Sequence, residues 1–290
     1  FVVVGQPIRP FTWAFEMLML GSGVGFNIQR EHVYQLPKVK KKVSVKHVED
    51  HGADFIVPDS REGWTDLLHR VLEASFVTGQ GFTYDTSLVR PAGAPIKGFG
   101  GTASGPNDLI WGMNEINRIL NERSGKRLRP VDCLDIMNII GKIVVAGNVR
   151  RSAQIAIGDH DDIEYLRAKR WDLGGIPNWR AMSNNSVVCD DISKLPEEFW
   201  EGYNGNGEPY GLINLKASRR MGRTGDTQYP DPNVMGYNPC AEQSLENFET
   251  CCLAEVYLPN IETYDELRKV LRYLYRVNKH SLAIPCSLKE

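Results

Sequence analysis

VDCLDIMNIIGKIVVAGNVRRSAQIAI, residues 131–157, decides the fold. Val131 to Val145 sets Leu134, Met137, Ile140 and Val144 on one stripe at helical spacing, which predicts a helix. Ala153 to Ile157 is a short, mostly apolar run and predicts a buried strand. The polar turn between them carries Arg150 and Arg151. A helix that hands straight over to a buried strand is the repeating step of a parallel α/β sheet.

Outward from this stretch the same alternation continues. Upstream, residues 11–20, Glu62 to Phe76 and Asn107 to Glu122 predict helices, and Phe1 to Val4, Val24 to Ile28 and Gly81 to Thr86 predict strands. Downstream, helices are expected at Asp161 to Lys169, Glu197 to Tyr203 and Tyr264 to Asn278. Strands are expected at Ser186 to Cys189, Leu212 to Leu215 and Leu253 to Leu258. Lys38 to His47, with five lysines, reads as a solvated loop or hairpin. Arg90 to Pro106 is a long Gly/Pro-rich loop, with Ser104 as expected N-cap of the next helix and Pro106 in its first turn. No repeat or linker interrupts the pattern, so a single domain is expected.

Composition narrows the function classes. The 290 residues are 42% hydrophobic and 24% charged, with a net charge of −2, the profile of an ordinary globular chain. That balance argues against a generic nucleic-acid or membrane-surface binder. The longest apolar run, Phe11 to Leu20, is interrupted by Glu16 and falls well short of the roughly 18 residues a spanning helix needs. The opening has no basic region of a signal peptide, and the chain reads as a piece of something longer. Six scattered cysteines without a C-x-x-C do not make a disulfide scaffold, a zinc ribbon or a thioredoxin-type motif.

Four motifs invite chemistry. Gly21-Ser-Gly-Val-Gly-Phe26 has glycines, but they follow a helix and precede a strand, the reverse of the dinucleotide-binding order. Lys97-Gly-Phe-Gly-Gly-Thr-Ala-Ser104 could cradle an anion but is not a Walker loop. Arg150-Arg151 is either a solvated pair or a ligand contact at a sheet edge. The sharpest motif is Asn238-Pro-Cys-Ala-Glu242, followed by Cys251-Cys252. In an extended segment Cys240 and Glu242 would project to one side about 7 Å apart, placing a sulfur beside a potential general base. A buried, inert cysteine is the competing reading; a zinc site lacks a fourth ligand.

Asn238-Pro-Cys-Ala-Glu-Gln-Ser-Leu245 resembles the finger-loop motif, N-P-C-x-E, of ribonucleotide reductase large subunits. Gly98 to Pro106, Ala146 to Ala153 and Ser183-Asn-Asn-Ser-Val187 resemble segments of the class II, adenosylcobalamin-dependent enzymes, above all the monomeric ribonucleoside-triphosphate reductase type. The resemblance runs in order from Phe1 to at least Val256.

The resemblance implies reduction of ribonucleotides to 2′-deoxyribonucleotides. Cys240 would carry a thiyl radical that abstracts the 3′ hydrogen, Glu242 would take the 3′ hydroxyl proton, and Asn238 would hold the ribose hydroxyls. Cys251 would be the second redox cysteine, with Cys252 a bystander. Arg90, Lys97 and Gly98 would belong to the first specificity loop, Arg90 and Lys97 touching the effector. Arg150, Arg151 and Ser152 would belong to the second, and Ile8 to Met19 and the region after Arg30 would complete the effector site. The implied fold is the first half of a ten-stranded α/β barrel, with all of 1–290 in that partial catalytic domain. Adenosylcobalamin is the implied cofactor, most of its site lying outside these residues. Implied partners are a ribonucleotide substrate, a deoxynucleotide effector and a thioredoxin-like reductant, in the cytoplasm, without membrane or direct nucleic-acid binding. The family's first redox cysteine belongs just upstream of Phe1 and its C-terminal half beyond Glu290, so these residues alone are expected to be inactive. The stretch between Gly25 and Thr102 is shorter than in the monomeric enzymes, which leaves monomer and dimer open. A class I large subunit, which has a longer gap between the two cysteines, and a nucleotide-binding module without chemistry are the rival readings.

Overall fold

The computed structural model describes residues 6–96, 100–146, 152–205 and 207–283. They form two compact units, meeting in sequence between Asn247 and Phe248.

The first unit is built on a sheet of four parallel strands in the order β1 (Val24–Asn27), β5 (Gln154–Asp159), β6 (Asn184–Val188) and β7 (Gly211–Ile213). Its register pairs Val24 with Gln154, Ile155 with Asn184, and Ser186 with Gly211. The 131–157 stretch is its hub. Helix α5 (Pro130–Val145) starts with proline, its first turn closed by Asp132 accepting from the Arg129 backbone N–H at 2.8 Å, and is buried along most of its length. Helix α1 (Arg9–Met19) lies beside it and ends where Gly21 turns left-handed at φ +86°, a conformation glycine adopts without penalty.

Between β1 and α5 the chain builds a second layer. It contains the helix turn α2 (Arg30–Val33), strands β2 (Val45–His47), β3 (Phe55–Ile56) and β4 (Phe82–Asp85), and helices α3 (Arg61–Glu73) and α4 (Asn107–Glu122). The strands form a parallel sheet in the order β2-β4-β3. Ser60 caps α3 by accepting from Gly63 N–H at 2.9 Å. After β5 come α6 (Ile163–Arg167), α7 (Glu197–Gly202) and α8 (Leu215–Met221), then the hairpin β8 (Gly236–Tyr237) and β9 (Ser244–Leu245). The second unit holds one long helix, α9 (Tyr264–Leu282), capped by Thr263.

Side chains alternate across the four-stranded sheet. Val24, Phe26, Ala156 and Val187 face the helices and join the main core. Ile155, Ile157 and Ile213 face the other way, in a smaller cluster with Leu215, Val234 and Tyr237. The α/β architecture is the expected one, and a parallel sheet with helices on one face and a hairpin on the other is compatible with a half barrel.

Four local expectations are corrected. Lys38 to His47 is not a solvated hairpin: Val39, Val43 and Val45 are buried, and Val45 to His47 pairs in parallel with β4. Ser104 does not cap α4; Pro106 holds that position, and the Ser104 hydroxyl bonds instead to the Gly105 carbonyl at 3.4 Å. Strand β7 stops at Ile213 because Asn214 accepts from Ala217 N–H at 2.8 Å and opens α8. Leu253 to Leu258 has no partner strand among the described residues and does not form one; it is irregular, ending in a 3₁₀ turn at Leu258–Asn260. Phe1 to Val4 lies outside the described residues.

Candidate active site

Cys240 sits at the tip of the β8–β9 hairpin, in which Gly236 pairs with Leu245 and Tyr237 with Ser244. The tip is a turn, not the extended segment expected from the motif. Ala241 N–H donates to the Asn238 carbonyl at 2.9 Å, closing a four-residue turn whose second residue, Pro239, has the fixed φ such turns favour. Ala241 then takes φ +65°. Cys240 and Glu242 therefore flank a left-handed residue rather than an extended one.

Asn238 organises this tip and is itself buried. Its backbone N–H donates to the Gln243 carbonyl at 3.1 Å, and its Oδ1 accepts from Gln243 N–H at 3.0 Å. Its Nδ2 donates to Glu242 Oε1 at 2.5 Å. Cys240 and Glu242 are exposed, which removes the buried-cysteine reading. The other described thiols of this unit behave differently. Cys133 is buried in α5, where desolvation raises its pKa, and Cys189 is buried with Sγ 3.0 Å from the Asp191 carbonyl.

The hairpin rests on the face of the sheet opposite the main helical core. A Cβ on Gly25 would lie 1.9 Å from the Tyr237 carbonyl oxygen, so only glycine admits the crossing backbone. Two residues on, along the same face of β1, Asn27 Nδ2 donates to the Met235 carbonyl at 2.9 Å. Arg219 on α8 holds the Val234 carbonyl through Nε at 2.8 Å, and the Tyr237 hydroxyl meets Ser218 Oγ. The glycines of Gly21 to Phe26 thus make a helix-to-strand turn, as their order required, and two of them also form a seat.

A separate cleft lies between α1, α3, the end of α5 and the Gly/Pro-rich loop. Arg61, Trp64, Arg90, Ile96, Ser104 and Ala146 are among the residues lining it. Arg90 Nε donates to Asp59 Oδ2 at 2.6 Å and Nη1 to the Pro95 carbonyl at 3.2 Å. Lys97, Gly98, Arg150 and Arg151 lie outside the described residues. Ser152, at the entrance to β5, turns its hydroxyl towards Gly141 of α5, where an added Cβ would be 3.0 Å away. Cys251 belongs to the second unit and is half-buried there. Among the described residues no group of His, Cys, Asp and Glu is placed to hold a metal ion.

A family model described as the insertion domain of B12-dependent ribonucleotide reductase matches residues 29–120. The adenosylcobalamin-dependent ribonucleoside-triphosphate reductase of Lactobacillus leichmannii is 38% identical over 279 residues, covering 86% of this chain and 38% of that protein. That of Lactobacillus gasseri is 40% identical over 286 residues, covering 87% and 38%. A probable adenosylcobalamin-dependent ribonucleoside-triphosphate reductase of Dictyostelium discoideum is 37% identical over 284 residues, covering 93% and 37%. A crystal structure of a B12-dependent, class II ribonucleotide reductase aligns with a TM-score of 0.71 at 33% identity, over 85% of this chain and 39% of that chain. The chain belongs to the class II ribonucleotide reductases. It spans about 38% of the length of the curated relatives it matches.

The class II insertion accounts for the second layer: residues 29–120 hold the β2-β4-β3 sheet with α3 and nearly all of α4. Reading the chain as one unbroken α/β pattern missed this insertion, although its signal was present. Three short strands with their own helices fall between β1 and α5, both of which meet β5, β1 by pairing and α5 by packing. Gly25, Asn27 and Arg219, which seat the reductase hairpin, were also missed.

Proposed function

We propose that this chain is the part of an adenosylcobalamin-dependent ribonucleotide reductase that carries the radical cysteine, its carboxylate partner and the nucleotide-sensing loops. The observation that carries the reading is the hairpin tip: an exposed thiol at Cys240, with Glu242 and Asn238 hydrogen-bonded to each other beside it.

Each residue then has a defined task. A Cys240 thiyl radical abstracts the 3′ hydrogen of a bound ribonucleotide. Glu242 accepts the proton of the 3′ hydroxyl, the 2′ hydroxyl takes a proton from the reducing thiols and leaves as water, and the hydrogen held on Cys240 returns to the 3′ carbon at the end. Asn238 Nδ2 has two hydrogens; one goes to Glu242, and the other is available to a ribose hydroxyl. Cys251 and a partner thiol supply the two electrons and end as a disulfide. The cofactor supplies the one-electron chemistry that generates the thiyl radical. The described residues fit such a group in one respect, the exposure of Cys240; neither the cleft at Arg90 nor a second cleft, lined by His47, Asp85 and Asn107, includes that residue. The remainder of the cofactor site belongs to the rest of the reductase, as does the second half of a ten-stranded barrel begun by these parallel strands.

Control by a deoxynucleotide is supported by the cleft, where a cation at Arg90 and an indole at Trp64 face one space. Arg90 and Ile96, ahead of Lys97, and Ala146, ahead of the arginine pair in sequence, line it. A thioredoxin-like protein is the proposed reductant and the cytoplasm the proposed compartment; no helix among the described residues is long and apolar enough to cross a membrane.

The test is substitution in the full-length enzyme. Cys240→Ala abolishes deoxynucleotide formation and leaves effector binding intact; measurable turnover by that variant refutes the assignment. Glu242→Gln lowers the rate at least about 10²-fold, and a loss under about threefold removes Glu242 from the proton-transfer role.

A further inference from the structure

The residue immediately before Cys240 is held from two sides. The ring of Pro239 lies on Gly23, where a Cβ would fall 2.5 Å from its Cγ and 3.0 Å from its Cδ. Its carbonyl accepts from Asn184 Nδ2 at 2.8 Å. Gly23 leads into β1 and Asn184 opens β6, two strands with β5 between them. Strands that are not neighbours thus converge on one proline.

Asn184 is well placed to hold its end. It is locked in the ladder opposite Ile155. The carbonyl just before it, that of Ser183, accepts from the buried Lys169 Nζ at 2.9 Å, and the same Nζ reaches Glu208 Oε1 at 2.9 Å. Ser183 Oγ donates to Asn185 Oδ1 at 2.9 Å. The start of β6 is therefore fixed on both flanks of Asn184.

We propose that Asn184 and Gly23 clamp Pro239 so as to aim the Cys240 thiol, with Asn184 a positioning residue for hydrogen abstraction. The proposal rests on the radical role given to Cys240 above. Its physical basis is the peptide plane. The Pro239 ring fixes its own φ, and the Pro239–Cys240 peptide is planar. Holding the Pro239 carbonyl therefore sets the plane that carries Cys240 N and Cα. Ala241 N–H on the Asn238 carbonyl holds the far side of the turn, which leaves mainly the cysteine's own χ1 free. Hydrogen abstraction needs such placement, since an error of about 1 Å can cost about 10²-fold in rate.

The test compares Asn184→Ala, Asn184→Asp and Gly23→Ala with the parent full-length reductase. Asn184→Asp keeps the side-chain shape and loses the donor, so it serves if the alanine variant does not fold. The expected result for the Asn184 variants has two parts. Amide hydrogen exchange at Ala241 and Gln243 accelerates roughly two- to twelvefold, the worth of one hydrogen bond, while exchange in α5 stays as in the parent. In turnover, kcat falls at least about tenfold while KM for the ribonucleotide stays within about twofold. Gly23→Ala moves both readouts in the same direction by displacing the proline ring. Parent-like exchange at the tip, or parent-like kcat with altered exchange, overturns the clamp. If Cys240→Ala retains turnover, the radical role fails, and the exchange measurement still decides by itself whether Asn184 holds the loop.

Discussion

The side-chain amide of Asn238 donates to the carboxylate of Glu242 at 2.5 Å while its oxygen closes the hairpin on Gln243. One buried side chain thus both shapes the turn and fixes the carboxylate near the exposed thiol of Cys240. Asn238→Ala removes both contacts. We expect a loss of about 1–3 kcal/mol in the local stability of the hairpin, seen as faster exchange at Gln243, together with at least about 10²-fold lower turnover in the full-length enzyme. An Asn238→Ala variant with parent turnover would separate the loop geometry from the chemistry.

Gly25 meets the hairpin backbone where a Cβ would sit 1.9 Å from the Tyr237 carbonyl. Gly25→Ala cannot be absorbed by a side-chain rotation, because the obstacle is main chain. The expected cost is about 1–3 kcal/mol, the usual range for overpacking, read as a lower denaturation midpoint. A midpoint equal to the parent's shows that the hairpin can lift off β1 freely.

His32 gives the first unit an acid-sensitive point. It is buried, and burial, with the positive charge of Arg219 adding to it, lowers the imidazole pKa to about 4. The Asp159 carboxylate favours the charged ring, but desolvation outweighs it. The unfolded chain protonates this histidine near 6.5, the folded chain only near 4. Between those values the unfolded state binds more protons, so stability is lost as pH falls from about 6.5 to about 4, by up to about 3 kcal/mol. Urea unfolding at pH 7 and pH 4.5 tests this: His32→Gln should show a smaller drop than the parent. Equal drops would place the proton elsewhere.

Arg90 faces the cleft while paired to Asp59 at 2.6 Å. If it contacts an effector phosphate or base, Arg90→Ala weakens deoxynucleotide binding roughly ten- to hundredfold, the worth of a charged hydrogen bond. Equilibrium binding to the full-length enzyme measures this, and unchanged affinity returns Arg90 to a purely structural pairing with Asp59.

The proposed second specificity loop has its own test. Replacing Arg150 and Arg151 together should shift which base is reduced under a given effector by roughly 5- to 150-fold, the usual scale of coupling between sites. Substrate competition assays read the shift, and the same base preference under every effector would make both arginines ordinary solvated charges.

Much of this protein is local and therefore written in its sequence. The apolar stripe of Leu134, Met137 and Ile140 and the run after Ala153 determined α5 and β5, because periodicity and turn chemistry act within a few residues. Asn238, Cys240 and Glu242 were legible as a motif, and α1, α3, α4, α7 and α9 near their observed limits. The tertiary structure alone decided what those parts do to one another. The valines at 39, 43 and 45 lie among lysines, and only tertiary packing buries them, Val45 in a strand that pairs with β4. The cysteine motif alternates like a strand, yet folds as a turn because Asn238 satisfies both its limbs. Gly23, Gly25 and Asn184 stand in stretches that the sequence singles out, but nothing local gives their task. Their roles come from a backbone that crosses them more than 50 residues away in sequence. A glycine in a sequence reads as flexibility or a turn; only the partner pressed against it shows that the missing Cβ makes room for a carbonyl or a proline ring.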